Sequence, residues 1–229
     1  MQYMGSKAAI AHKLLPFMLT HRADGMPWVE PFVGGANMID KVGGIRIGCD
    51  THKYLIALLY AVQNGWTPPT CVTKYEYYYI KKNTNEFPDY LVGFVGFLCS
   101  FGGKWWGGYA SNTKGDNYAA RGSRVLIKQA TKLQGVTFTN QSYDTLELQE
   151  KSLIYCDPPY SGTTSYKDVF NHDTFWEWCR QRNRDGHILF VSEYSAPDDF
   201  SIVTEIMHKT KLDKNSQYTR TEKLFTLPR

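Results

Sequence analysis

The chain has 229 residues, 42% of them hydrophobic and 21% charged, with a formal net charge of +4. That length supports one sizeable α/β core with room for a small inserted lobe, and the composition excludes a disordered or low-complexity chain. The five cysteines, an odd set without Cys-x-x-Cys spacing, and the lack of a long unbroken apolar window argue against a disulfide framework, a metal site and a membrane span.

In chain order, Ser6 stands as an N-cap, and Ile10, Leu14, Phe17 and Met18 follow it at helical spacing. "WVEPF" (28–32) reads as a short strand running into the loop "VGGAN". "IRIGCD" (45–50) reads as a second strand ending in a carboxylate, and "LIALLYAVQN" as the helix after it. Strand, glycine loop, acid-tipped strand and helix make the front half of a parallel nucleotide-binding sheet. "TPPT" then breaks the chain, two helical stretches follow, and 66–132 is set apart as an insert. Within 101–135, Lys104, Lys114, Arg121, Arg124, Lys128 and Lys132 face a single acid, Asp116, so the positive charge is concentrated there. Such a concentration is the footprint of a polyanion partner.

Past the insert, "GVTFT", "SLIYCD" and "GHILFVSEY" read as strands, with a helix near 173–182. "FSIVTEIM" and "TEKLFTL" read as a closing antiparallel pair. The expected fold is α/β: a doubly wound, mostly parallel Rossmann-like sheet formed by 1–65 and 133–229, carrying a mainly helical lobe at 66–132.

The chemistry concentrates where "LIYC" meets "DPPY", residues 153–160. Prolines cannot continue a strand ladder, and a residue before proline is held out of the α region. Asp157 and Pro158 both precede prolines, so the backbone stays extended. It offers the Asp157 carboxylate and the Pro158 carbonyl as two fixed acceptors, held by Pro159, with the aromatic face of Tyr160 just beyond. Two acceptors and a stacking plane match a planar ring bearing an exocyclic NH2. Hydrogen bonds to both N–H groups would localise the nitrogen lone pair and strengthen as positive charge develops there.

In "EPFVGGANM" (30–38), Gly34 and Gly35 allow close approach to a ligand, and the acid Glu30 suits an amine better than a pyrophosphate. Asp50, at the next strand end, is placed to take ribose hydroxyls. Neither the dinucleotide fingerprint nor the Gly-Lys-Ser/Thr phosphate loop is present. His12, His52 and His172 read as surface or capping residues. The stripe in "DTFWEWCRQRNRD" reads as core packing.

The order "YMGSK" (3–7), "EPFVGG" (30–35), charged insert, "DPPY" (157–160) resembles the Dam-like family of DNA adenine N6-methyltransferases, found in bacteria and their phages. The resemblance implies S-adenosylmethionine as cofactor and double-stranded DNA as partner, in a soluble protein of a bacterial or phage-infected cytoplasm, acting as a monomer or weak dimer. It implicates Tyr3, Lys7, Glu30, Phe32, Gly34 and Gly35 at the methionine end of the cofactor, Asp50 at its ribose, and Asp144 of "SYDTL" at its adenine. Asp157 to Tyr160 would hold the target amine beside it. Where relatives that read GATC carry Asn-Gly and Arg-Tyr-Asn patterns, this chain has "FGGKWWGGYASN", so that specificity does not transfer. Lys104, Lys114, Arg121, Arg124 and Lys128 can neutralise phosphates, and Arg121 and Arg124, flanked by Asn117 and Tyr118, can read base edges. Trp105 and Trp106 either stack near an extruded base or anchor the lobe. Methylation of cytosine N4, RNA adenine or a glutamine amide, and a non-catalytic DNA-binding module of the same fold, remain open from these residues.

Overall fold

The computed structural model describes residues 1–113, 115–160, 170–211 and 217–228. Seven strands lie in the order β3-β2-β1-β4-β5-β7-β6. With the helices between them they make the expected α/β, mostly parallel, Rossmann-like fold. The chain divides into two compact units, 1–8 with 33–141 and 9–32 with 142–229.

The first unit holds β2 (Arg46–Asp50) and β3 (Val136–Asn140), paired in parallel from Arg46 opposite Val136 to Asp50 opposite Asn140. Four helices accompany them: α2 (Lys53–Gln63), α3 (Lys74–Lys82), α4 (Asp89–Leu98) and α5 (Tyr118–Ala130). Thr73 begins α3 through a capping box with Glu76. Helix α5 goes beyond the two helices expected in the insert. Asn117 caps it, its Oδ1 accepting from the Ala120 N–H at 2.9 Å, and Ala119, Gly122, Ser123, Leu126 and Gln129 form its buried face. The insert packs tightly on α2: any side chain at Gly93 of α4 would collide with the Tyr54 carbonyl.

The second unit holds α1 (Ala11–Leu19), β1 (Trp28–Glu30), β4 (Leu153–Cys156), α6 (His172–Arg184), β5 (Ile188–Glu193), β6 (Ser201–Lys211) and β7 (Gln217–Thr226). β1 pairs with β4 and β4 with β5, all parallel, whereas β7 lies antiparallel between β5 and β6. Every residue of β4 is buried, which is why "LIYC" is an unbroken apolar run rather than an alternating one.

Some expectations need correction. Ser6 caps a short 3-10 turn, its Oγ accepting from Ala8 N–H at 3.1 Å, and α1 starts later, at Ala11. Phe17 is 41% exposed, because the face of α1 that is buried runs through Ala11, Leu14, Leu15 and Met18. Helix α6 begins at His172, ahead of Asp173, because Asn171 provides the cap. The closing pair is antiparallel as expected but longer, since its ladder continues to Lys211 opposite Gln217, well past the apolar residues that signal it.

Candidate active site

β4 ends at Cys156, and Asp157 to Tyr160 leave it without regular structure. Pro158 is buried, while Asp157, Pro159 and Tyr160 are half-buried. The Tyr160 hydroxyl donates to Glu222 Oε1 on β7, and its ring meets Tyr194 edge-on, with centroids 4.7 Å apart and planes at 89°. Burial, then the charges of Asp157 and Glu222, push the Tyr160 phenol well above its ordinary value, so it stays a protonated donor. Beneath the corner, Tyr155 is fully buried, bonded to Ser192 Oγ at 2.9 Å and stacked on Trp28. The Trp28 indole donates to Glu30 Oε1 at 2.8 Å. Glu30, Glu193 and Glu222 are 2%, 1% and 3% exposed. Phe32 belongs to an aromatic cluster with Tyr143 and Phe170, at 5.4 and 5.8 Å. Asp144, next to Tyr143, is exposed.

The other candidates lie in the first unit. Gly34 has φ +48 and its N–H donates to Asp50 Oδ2 at 3.1 Å, while Asp50 Oδ1 accepts from the His52 N–H at 2.9 Å. Asp50 thus braces the glycine bend with Oδ2 and the start of α2 with Oδ1, each oxygen keeping a lone pair for a further donor. Burial raises its carboxyl, and the two backbone N–H groups pull it back down. Tyr3 lies across the bend: a Cβ on Gly35 would come within 2.7 Å of Tyr3 Cβ. Only glycine tolerates that approach. Lys7 is 7% exposed, with its ammonium 3.4 Å from the Gly5 carbonyl.

A family model for D12 class N6 adenine-specific DNA methyltransferases matches residues 107–222, just over half of the chain. The chain belongs to that family. The match takes in the insert from Gly107 onward, the Asp157–Tyr160 corner and Glu222. A comparison with curated protein sequences gives no match. Among solved structures, the protein described as "putative methylase HI0767 from Haemophilus influenzae" is 10% identical, with a TM-score of 0.37 over 98% of this chain and 100% of that one. The family assignment rests on the sequence match.

In this methyltransferase the insert's cations are outward. Arg121, Arg124 and Lys128 are exposed on α5, and Lys104 is exposed before it. The Arg121 guanidinium lies 4.5 Å over the Tyr118 ring and donates to Gln2 Oε1 at 3.1 Å. Lys114 lies outside the described residues. Asn117 is committed to capping α5, and its amide donates to the Thr70 carbonyl. Trp105 packs against His52, Phe97 and Tyr54 at 4.4, 4.8 and 5.3 Å. Trp106 takes a left-handed backbone at φ +47 and meets Tyr77 at 5.1 Å. Both tryptophans are half-buried in these ring contacts.

His52 was expected as a surface or capping residue, and it does occupy the N-cap position of α2, but without a side-chain cap bond and not at the surface. Its ring is half-buried among those aromatics, its Nδ1 is buried with no hydrogen-bond partner among the described residues, and burial lowers its pKa to about 4. Sequence reading missed Glu222 and Phe170. Glu222 lies 62 positions from Tyr160, and no local pattern signals a bond across that span.

Proposed function

We propose that this family member is a site-specific DNA adenine N6-methyltransferase that uses S-adenosylmethionine and acts on an adenine flipped from duplex DNA. What carries the reading is the corner itself: two acceptor groups after a fully buried parallel strand, with Tyr160 tied at its hydroxyl and its edge.

The donor set suits that cofactor. Its methionine end carries both an ammonium and a carboxylate. Glu30 and Lys7, both buried, supply the opposite charge for each. Asp50 retains acceptor capacity for ribose hydroxyls, the Gly34–Gly35 bend presents backbone beside Tyr3, and the cluster of Phe32, Tyr143 and Phe170 offers flat apolar surface for a purine, with Asp144 alongside. When bound, S-adenosylmethionine supplies an electrophilic methyl group.

The chain's own residues do the rest. N6 of adenine is paired inside the duplex, so the base must leave the stack to be reached. Tyr160 takes one face of the extruded ring. The Asp157 carboxylate and Pro158 carbonyl accept its two N–H hydrogens, which raises the availability of the lone pair. As N6 gains the methyl it becomes cationic, and hydrogen bonds to the carboxylate strengthen before a proton is lost. Arg121, Arg124, Lys128 and Lys104 meet backbone phosphates, and neutralising each adds to affinity and to its salt dependence.

Incubation with methyl-labelled S-adenosylmethionine and DNA free of N6-methyladenine tests this. Label in N6-methyladenine is expected. Label in N4-methylcytosine, in RNA or in protein, or cofactor binding without any transfer, would overturn the assignment.

A further inference from the structure

Tyr160 is the platform on which the proposed base would stack, and a platform works only if its plane is fixed before the base arrives. A tyrosine ring has two soft torsions, and the extended Asp157–Pro159 backbone settles neither. One restraint is the edge contact with Tyr194 at 4.7 Å. It restrains rocking about the ring's long axis but leaves the swing of the whole ring about the Cα–Cβ bond, which carries the hydroxyl with it. The second restraint is the bond from the Tyr160 hydroxyl to Glu222 Oε1.

Glu222 stands at a particular place on β7. It pairs with Ile206 of β6, and the next residue, Lys223, begins the ladder with Glu193 of β5. Alternation along the strand puts Glu222 on the same side as Leu224, which is fully buried, and Glu222 itself is 3% exposed. A carboxylate at a buried strand position is costly unless it is hydrogen-bonded. The phenol is one of the groups that meet that need, and the bond is charge-assisted, the stronger class. A phenol donating to a carboxylate also becomes more electron-rich. Its face is then a better neighbour for an amine that turns cationic as it is methylated.

We propose that Glu222 is the positioning residue of the base platform, anchoring the far end of the Tyr160 ring at the place where it stacks on the target adenine. The inference rests on the adenine-methyltransferase reading above and adds a residue that no strand-end motif contains. Glu222 acts through Tyr160 and touches neither the base nor the methyl donor. Its loss therefore weakens the chemical step rather than cofactor binding.

The experiment is a double-mutant cycle on the full chain with Glu222→Gln, Tyr160→Phe and the double variant. Initial rates of methyl transfer to DNA are measured over ranges of both substrates, with thermal melting of each protein. Misplacing a reacting group by a fraction of an ångström costs on the order of tenfold or more. Tyr160→Phe and Glu222→Gln are each expected to lower kcat by roughly tenfold, with KM for S-adenosylmethionine within about twofold of wild type. The double variant should fall no further than Tyr160→Phe alone, because both changes act on the same bond: phenylalanine removes it and glutamine takes away its charge. Losses that multiply in the double variant, or a rise in the cofactor KM matched by a fall in melting temperature, would make Glu222 a structural residue only. Should Glu222→Gln not fold, Tyr160→Phe still decides: it leaves Glu222 in place, and wild-type kcat in that variant overturns the proposal. Wild-type protein that methylates no DNA would instead sink the underlying reading.

Discussion

The Asp157–Tyr160 corner and the exposed face of α5 serve opposite needs. The corner is held from several sides: two prolines hold the backbone, buried Glu222 and half-buried Tyr194 hold Tyr160, and Tyr155 with Ser192 supports the strand beneath. On α5 the arginines and lysine stand outward from a helix whose other face is packed. Chemistry on one nitrogen requires positions held to a fraction of an ångström. Phosphate contacts work through charge over longer reach and tolerate movement. One region should thus fail abruptly when altered, the other by degrees.

The sharpest break is at the corner. On the proposed mechanism Asp157→Ala removes an acceptor that strengthens as N6 becomes cationic, and should lower kcat by about a hundred- to a thousandfold, the scale seen when a preorganised electrostatic partner is deleted. Affinity for S-adenosylmethionine, measured by calorimetry, should change much less. Substantial turnover in this variant would refute the role of the corner. The contrasting region offers no single residue with such an effect.

Next in size is an effect on stability at the root of the insert. His52 is held neutral by burial, with its pKa lowered from 6.5 to about 4. The unfolded chain therefore takes up a proton between those values and the folded chain does not. Stability is complete above about pH 6.5, falls as the pH drops toward 4, and levels off below that. The loss is on the order of 2 kcal/mol by pH 4.5. His52→Phe keeps the packing with Phe97 and Trp105 and removes the proton site. Urea unfolding at pH 7 and pH 4.5 should show a smaller acid loss in this variant. Equal losses in both proteins would place the acid sensitivity elsewhere.

The same two regions explain what could be read before folding. The corner was legible because its determinants are local: an apolar run, an acid and two prolines fix backbone and chemistry within eight residues. The glycine bend and the acid-tipped β2 were legible for the same reason. Glu222 was not, because its partner is reached only when β7 enters the sheet antiparallel to β5. His52 was misjudged because its burial comes from Trp105 and Phe97, packed by the insert onto the start of α2. Helix α5 was hidden by its composition, with Gly122 and Ser123 mid-helix, and both are buried because small residues let it lie against α4 and the 66–72 segment, where Ser123 Oγ donates to the Pro68 carbonyl at 2.8 Å. The charge of the insert was visible, but the helical face that arranges it was not.

That face carries the gentlest prediction. Arg121, Arg124 and Lys128 are spaced three and four residues apart, so they share one side of α5. If each meets a phosphate, removing one should weaken DNA binding a few-fold and lower the slope of log affinity against log salt by about 1, with losses accumulating across the set. Arg121→Ala should do somewhat more, since the stacking of Arg121 on Tyr118 and its bond to Gln2 pre-orient the guanidinium. If it reads a base edge, its loss would also relax sequence choice, which mapping methylated adenines in a genome expressing each variant would reveal. A uniform loss with unchanged choice makes Arg121 a phosphate contact. Unchanged affinity and salt slope in all three variants would remove α5 from the DNA interface while leaving the corner's chemistry intact.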